Sequence, residues 1–115
     1  MKDKKIKKIY LIINEQHSLL PDQRRVLEER FPEANVGHIL IPAKGLDLDE
    51  LRSLYSELLT KTHNISNVIV MVSPIPAIIK WLPSVYVFFN SQREKKELPN
   101  GKIIFTVAKE GWELI

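Results

Sequence analysis

Three short runs in this chain are apolar on consecutive residues rather than on alternate ones: Ile9 to Ile13 at the end of 6–13, the segment 67–72, and 85–90. A strand with one wet face alternates apolar and polar side chains, so continuous runs of this length point to strands buried on both sides. Between them lie segments of helical character. Pro21 can open a helix, Val26, Leu27 and Phe31 give it an apolar stripe, and Pro32 stops it. Asp47 with Glu50 forms a capping-box pattern ahead of Leu48, Leu51, Leu54, Tyr55, Leu58 and Leu59 at helical spacing. Ser73 followed by Pro74 reads as a cap and first-turn proline of a short third helix that ends before Pro83.

Two further strands complete the pattern: 37–41, closed by Pro42, and 102–107. The Pro-Asn-Gly at 99–101 is a turn signal that makes the last strand antiparallel to the fourth. Alternation of strands and helices with short connections calls for a mostly parallel sheet with helices on both faces, in a single α/β domain over residues 1–115. The expected strand order is 2-1-3-4-5, with the antiparallel fifth strand at the edge. In such a sheet ligands bind beyond the carboxyl ends of the strands, where the winding reverses. That places a crevice between the ends of strands one and three.

Composition removes several functions. With no cysteine, thiolate chemistry, disulfides and cysteine zinc sites are excluded, and a reducing cytoplasm is the expected compartment. Four glycines, at 37, 45, 101 and 111, cannot build a dinucleotide fingerprint or a phosphate loop. His17, His38 and His63 lie on separate segments without metal-ligand spacing, so neither a metal nor another cofactor is expected. No apolar stretch approaches the roughly 20 residues that cross a bilayer, and no membrane partner is expected. The formal charge of +3 comes from five lysines in residues 1–8, and the balanced remainder does not resemble a surface for duplex DNA.

The residues expected to face the crevice are Asn14, Glu15, Gln16, His17 and Ser18, then Ser73, Pro74 and Ile75, with Lys44 and the Asn90, Ser91 and Arg93 segment on the flanks. Hydroxyl, amide and cationic groups with little negative charge suit an anionic ligand, and a histidine there can carry a proton near neutrality. Plainer readings stand beside these. His17 can be an exposed loop histidine, Ser73 a helix cap, Lys44 a solvated loop lysine and Arg93 part of a solvated hairpin arm. Trp81 and Trp112 read as packing residues, His38 as an edge-strand residue, and His63 as a cation at the end of the second helix.

The run Ile9-Tyr10-Leu11-Ile12-Ile13-Asn14-Glu15-Gln16-His17, the helix start Leu20-Pro21-Asp22-Gln23 and the segment Ser73-Pro74-Ile75-Pro76-Ala77 resemble the small stand-alone CRISPR-associated proteins with a Rossmann-like (CARF-like) fold. Some of these are ring nucleases that degrade cyclic oligoadenylate messengers. The resemblance implies a Rossmann-like three-layer sandwich and a homodimer that holds cyclic tetra-adenylate across its two-fold axis. It also implies metal-independent cleavage by a ribose 2′-hydroxyl. Asn14 and Ser73 would orient the phosphate, Lys44 or Arg93 would stabilise its charge, and His17 would carry the proton, making His17, Lys44 and Arg93 the catalytic candidates. A sensor or sponge that binds without cutting, and a protein-interaction module, are the alternatives.

Overall fold

The computed structural model describes residue 3 and residues 5–115. Its elements run β1 (Lys8–Asn14), α1 (Pro21–Arg30), β2 (Asn35–Ile41), α2 (Leu48–Lys61), β3 (Asn67–Met71), α3 (Pro76–Trp81), β4 (Tyr86–Phe89), β5 (Arg93–Glu97), β6 (Ile103–Val107) and β7 (Glu113–Leu114). Five strands form one sheet in the order β2-β1-β3-β4-β7. The first four are parallel, and β7 runs antiparallel to β4.

Strand β1 is central, and its successive side chains feed two separate cores. Ile9 and Leu11 join Leu27 of α1 and Phe31 just past its end, together with Val70 and Phe88, on one face. Ile12 joins Leu54 and Leu58 of α2 and Ile78 of α3, together with Ile69 and Met71, on the other. This explains the continuous apolar runs, because a strand covered on both sides has no face left for polar side chains. Helix α1 lies on one face and α2 and α3 on the other, as right-handed crossovers require when the chain first winds from β1 to β2 and then back across to β3 and β4. Among the described residues no helix is long and apolar enough to cross a membrane.

Asp47 caps α2 as its sequence suggests, accepting from the Glu50 N–H at 2.8 Å while Glu50 Oε1 accepts from the Asp47 N–H at 3.0 Å. At the head of α1 the buried Gln23 does half of the same job, its Oε1 accepting from the Leu20 N–H at 3.0 Å.

The third helix differs from expectation. It begins at Pro76 with Ile75 as its extended N-cap residue, at φ −117° and ψ 104°, and no side chain caps it. The cause is local: a residue that precedes proline is pushed out of the helical region, so Ile75 before Pro76 cannot occupy a first turn opened at Pro74. Ser73 is therefore not the cap.

The sheet edge differs as well. The 102–107 segment does not sit beside β4. Its strand β6 pairs antiparallel with β5, the charged stretch Arg93–Glu97, in a separate two-stranded sheet. The turn at 99–101 does close a hairpin, with Gly101 at φ +83° and the Leu98 N–H donating to the Lys102 carbonyl at 2.7 Å. Its first arm is β5 rather than β4. The edge position beside β4 belongs to β7, which reaches it after the chain reverses at Gly111 (φ +87°). Asp22 on α1 anchors that return, its Oδ2 accepting the Trp112 N–H at 2.9 Å. This backbone donor, followed by Arg25, holds the Asp22 carboxyl below its ordinary value.

Candidate functional site

Three strand ends meet beside the point where the winding reverses, and β1 supplies most of the polar groups there. Asn14 closes the strand, and its Oδ1 accepts the Gln16 N–H at 2.9 Å in an Asx turn. The His17 N–H donates to the Asn14 carbonyl at 2.9 Å, so the chain doubles back within four residues. That turn carries the imidazole over the end of β3. There the Ser73 Oγ accepts the Asn14 N–H at 3.0 Å and lies 3.4 Å from His17 Nδ1.

Serine 73 thus links the two central strands. Because its oxygen already accepts from Asn14, its hydroxyl hydrogen is free to point at Nδ1 of a neutral imidazole. A protonated imidazole would instead donate to the oxygen. The arrangement suits a proton carrier held by a hydroxyl, on an exposed surface with His17 in contact with solvent.

Glu15 faces the neighbouring strand end. Its Oε1 accepts the Ala43 N–H at 2.9 Å, and its own N–H donates to the Ile41 carbonyl at 2.8 Å. The carboxylate therefore fixes the loop after β2, where the Gly45 N–H donates to the Pro42 carbonyl at 2.8 Å. Lys44 sits exposed in that turn. Gln16 and Pro74 are exposed as well, and Ile75 packs partly against the core under α2 and α3.

The flank after β4 has a different character. Asn90 is 4% exposed, and its Nδ2 donates to the Ala108 carbonyl at 3.1 Å and the Glu110 carbonyl at 2.7 Å, while Oδ1 accepts the Gln92 N–H at 2.9 Å. Its amide is committed to holding the root of the β5–β6 hairpin. Arg93 Nη1 donates to the Asn90 and Gln92 carbonyls at 2.7 and 2.9 Å, and Ser91 is exposed between them. The structure thus gathers Asn14, Glu15, Gln16, His17 and Ser73 with the Lys44 loop, and sets Asn90, Ser91 and Arg93 around the hairpin root.

Sequence reasoning did not reveal the Asn14–Ser73 link or the docking of Glu15 on Ala43. Both involve backbone N–H groups, and residue identity carries no signal for those. The other histidines lie elsewhere: His38 exposed on edge strand β2, and His63 exposed just past α2. Trp81 packs edge-on against Tyr55 and Trp112 against Phe88, at ring separations of 5.7 and 6.1 Å. A groove of about 390 Å³ lies along β2 and α2, lined by Leu40, Leu46, Leu54 and Glu57, and borders this cluster at Ile41, whose carbonyl accepts the Glu15 N–H. Compared with known proteins, the chain gives no significant match to a family model, to a curated protein or to a solved structure.

Proposed function

We propose that this chain is a metal-independent ring nuclease that binds and cleaves cyclic oligoadenylate, namely the cyclic tetra-adenylate messenger of type III CRISPR defence. In this reading the chain is a cytoplasmic homodimer on a Rossmann-like, CARF-like sandwich. The observation that carries the reading is the approach of His17 Nδ1 to Ser73 Oγ, 3.4 Å apart, at the carboxyl ends of the two central strands. An imidazole beside a hydroxyl, with the Asn14 and Gln16 side-chain amides in the same turn, suits a phosphodiester whose own ribose supplies the nucleophile.

The reaction then needs little from the protein. The ribose 2′-oxygen bonds to the adjacent phosphorus, the bond from phosphorus to the 5′-oxygen breaks, and the 2′-proton passes through His17 to the departing 5′-oxygen. The products are linear, with a 2′,3′-cyclic phosphate at one end and a 5′-hydroxyl at the other. Ser73 and the Asn14 side chain orient the phosphate, Gln16, Pro74, Ile75 and Ser91 line its approach, and Lys44 offsets the charge that builds on the phosphorane. Arg93 contributes charge after exchanging a backbone carbonyl for a phosphate oxygen.

The exposed setting of His17 favours a second reading, a sensor or sponge that holds the ring intact. Incubation with cyclic tetra-adenylate in EDTA separates the two. Linear products that disappear in His17→Ala support cleavage, tight binding of an intact ring supports the sponge, and no binding overturns both.

A further inference from the structure

The β5–β6 hairpin is a two-stranded sheet detached from the main one, and two strands alone are marginal in water without a third strand or a covering surface. The molecule is also extended. The radius of gyration is 15.8 Å, against about 13 Å for a compact chain of this length.

Its two edges are unlike. Strand β5 carries Arg93, Glu94, Lys95, Lys96 and Glu97, the charged guard that keeps an edge from pairing. Strand β6 is Ile103, Ile104, Phe105, Thr106 and Val107, with Ile103 52%, Phe105 67% and Val107 46% exposed.

The ladder fixes which backbone groups face outward. The Leu98 N–H donates to the Lys102 carbonyl at 2.7 Å, and the Ala108 N–H to the Gln92 carbonyl at 3.2 Å. Hydrogen-bonded pairs alternate with non-bonded ones along an antiparallel ladder, so the pairs of Glu97 with Ile103, Lys95 with Phe105 and Arg93 with Val107 are the non-bonded ones. The N–H and C=O groups of Ile103, Phe105 and Val107 therefore point away from β5. These same three residues carry the exposed apolar row.

We infer that the free edge of β6 pairs antiparallel with β6 of a second copy of this chain, about a two-fold axis at Phe105. The register is self-complementary: Phe105 meets its own mate, and Ile103 meets Val107 of the other copy. About six new backbone hydrogen bonds join the hairpins into one four-stranded sheet, in which the apolar rows of the two β6 strands lie side by side between the charged β5 strands. The inference rests on the hairpin and holds whether or not the site cuts a nucleotide.

Sedimentation across protein concentration tests it, together with amide hydrogen exchange. The expected mass rises from 13.3 kDa to twice that, and Phe105→Asp raises the dissociation constant more than about a hundredfold with an unchanged circular dichroism spectrum. In the wild-type dimer the amides of Ile103, Phe105 and Val107 exchange at least about tenfold more slowly than in dilute monomer. A monomer at all concentrations, a dimer indifferent to Phe105→Asp, or unprotected amides at those three positions in the dimer overturns the inference. Should Phe105→Asp unfold, the wild-type exchange decides. Cleavage of cyclic tetra-adenylate is scored on the same samples, so failure of the hairpin contact and failure of the nuclease reading are told apart.

Discussion

Replacing Asn90 with alanine removes three hydrogen bonds at once, the two that Nδ2 donates to the Ala108 and Glu110 carbonyls and the one that Oδ1 accepts from the Gln92 N–H. The three partners do not suffer equally. Ala108 is buried, so its carbonyl meets no water and bears the full cost of an unmade bond, while Gln92 and Glu110 are exposed residues whose groups can be rehydrated. Counting up to about 2 kcal/mol for the first and about 0.5 kcal/mol for each of the others gives a loss of roughly 3 kcal/mol. In a domain of this size that lowers the thermal midpoint by roughly 12 °C. Urea unfolding followed by circular dichroism at one fixed protein concentration measures it, since any self-association makes the midpoint concentration-dependent. Asn90→Asp keeps the acceptor for Gln92 but loses both donors, and it sets a carboxylate against two carbonyls, so it should cost at least as much as alanine. A loss below about 0.5 kcal/mol for Asn90→Ala would refute the view that this side chain pins the hairpin root.

Asp22 has its carboxyl held below the ordinary value by the Trp112 N–H and Arg25, so its stabilisation is present above about pH 4 and is lost as pH falls through the lower folded value. Asp22→Asn should therefore lower the urea midpoint at pH 7 and flatten its decline as the pH falls below about 4, and an unchanged pH profile would contradict this. Gly111 adopts φ +87°, and an added Cβ would lie 2.7 Å from Gln92 Cδ. Gly111→Ala should cost roughly 1–2 kcal/mol from the left-handed backbone, and adding Gln92→Ala should recover only the part due to the contact, as read from urea midpoints. Lys44→Ala leaves the loop fixed by Glu15, so it should weaken binding of cyclic tetra-adenylate chiefly at low salt, as read by calorimetry at two ionic strengths.

The legible parts of the fold were those where side-chain chemistry and backbone need coincide. Buried β1 and β3 announced themselves as apolar runs, and α2 through Asp47, Glu50 and its leucines, because each signal is the physical cause of the element. The sheet order through β4 followed from the crossovers. Strand β5 was not legible, since Arg93–Glu97 has the composition of a solvated loop and becomes a strand only because β6 lies beside it. Two-residue β7 holds its place through Trp112, Leu114 and the Asp22 contact, which are tertiary and leave no local pattern. Within the site, the gathering of Asn14, His17 and Ser73 followed from the switch point alone. The role of Ser73 did not: its neighbour Pro74 suggested a cap, but Pro76 one step further forbids that helix start.

The central claim is that the turn after β1 and the end of β3 form the ligand surface. Titration of isotopically labelled protein with cyclic tetra-adenylate in EDTA, read as amide chemical-shift changes, tests it most directly. Changes are expected to concentrate on residues 14–18, 42–45 and 73–75, and to be lost in Ser73→Ala, which keeps the fold but frees the Asn14 N–H. Changes confined to the groove along Leu40, Leu46 and Glu57, or none at all with ligand in excess, would contradict it.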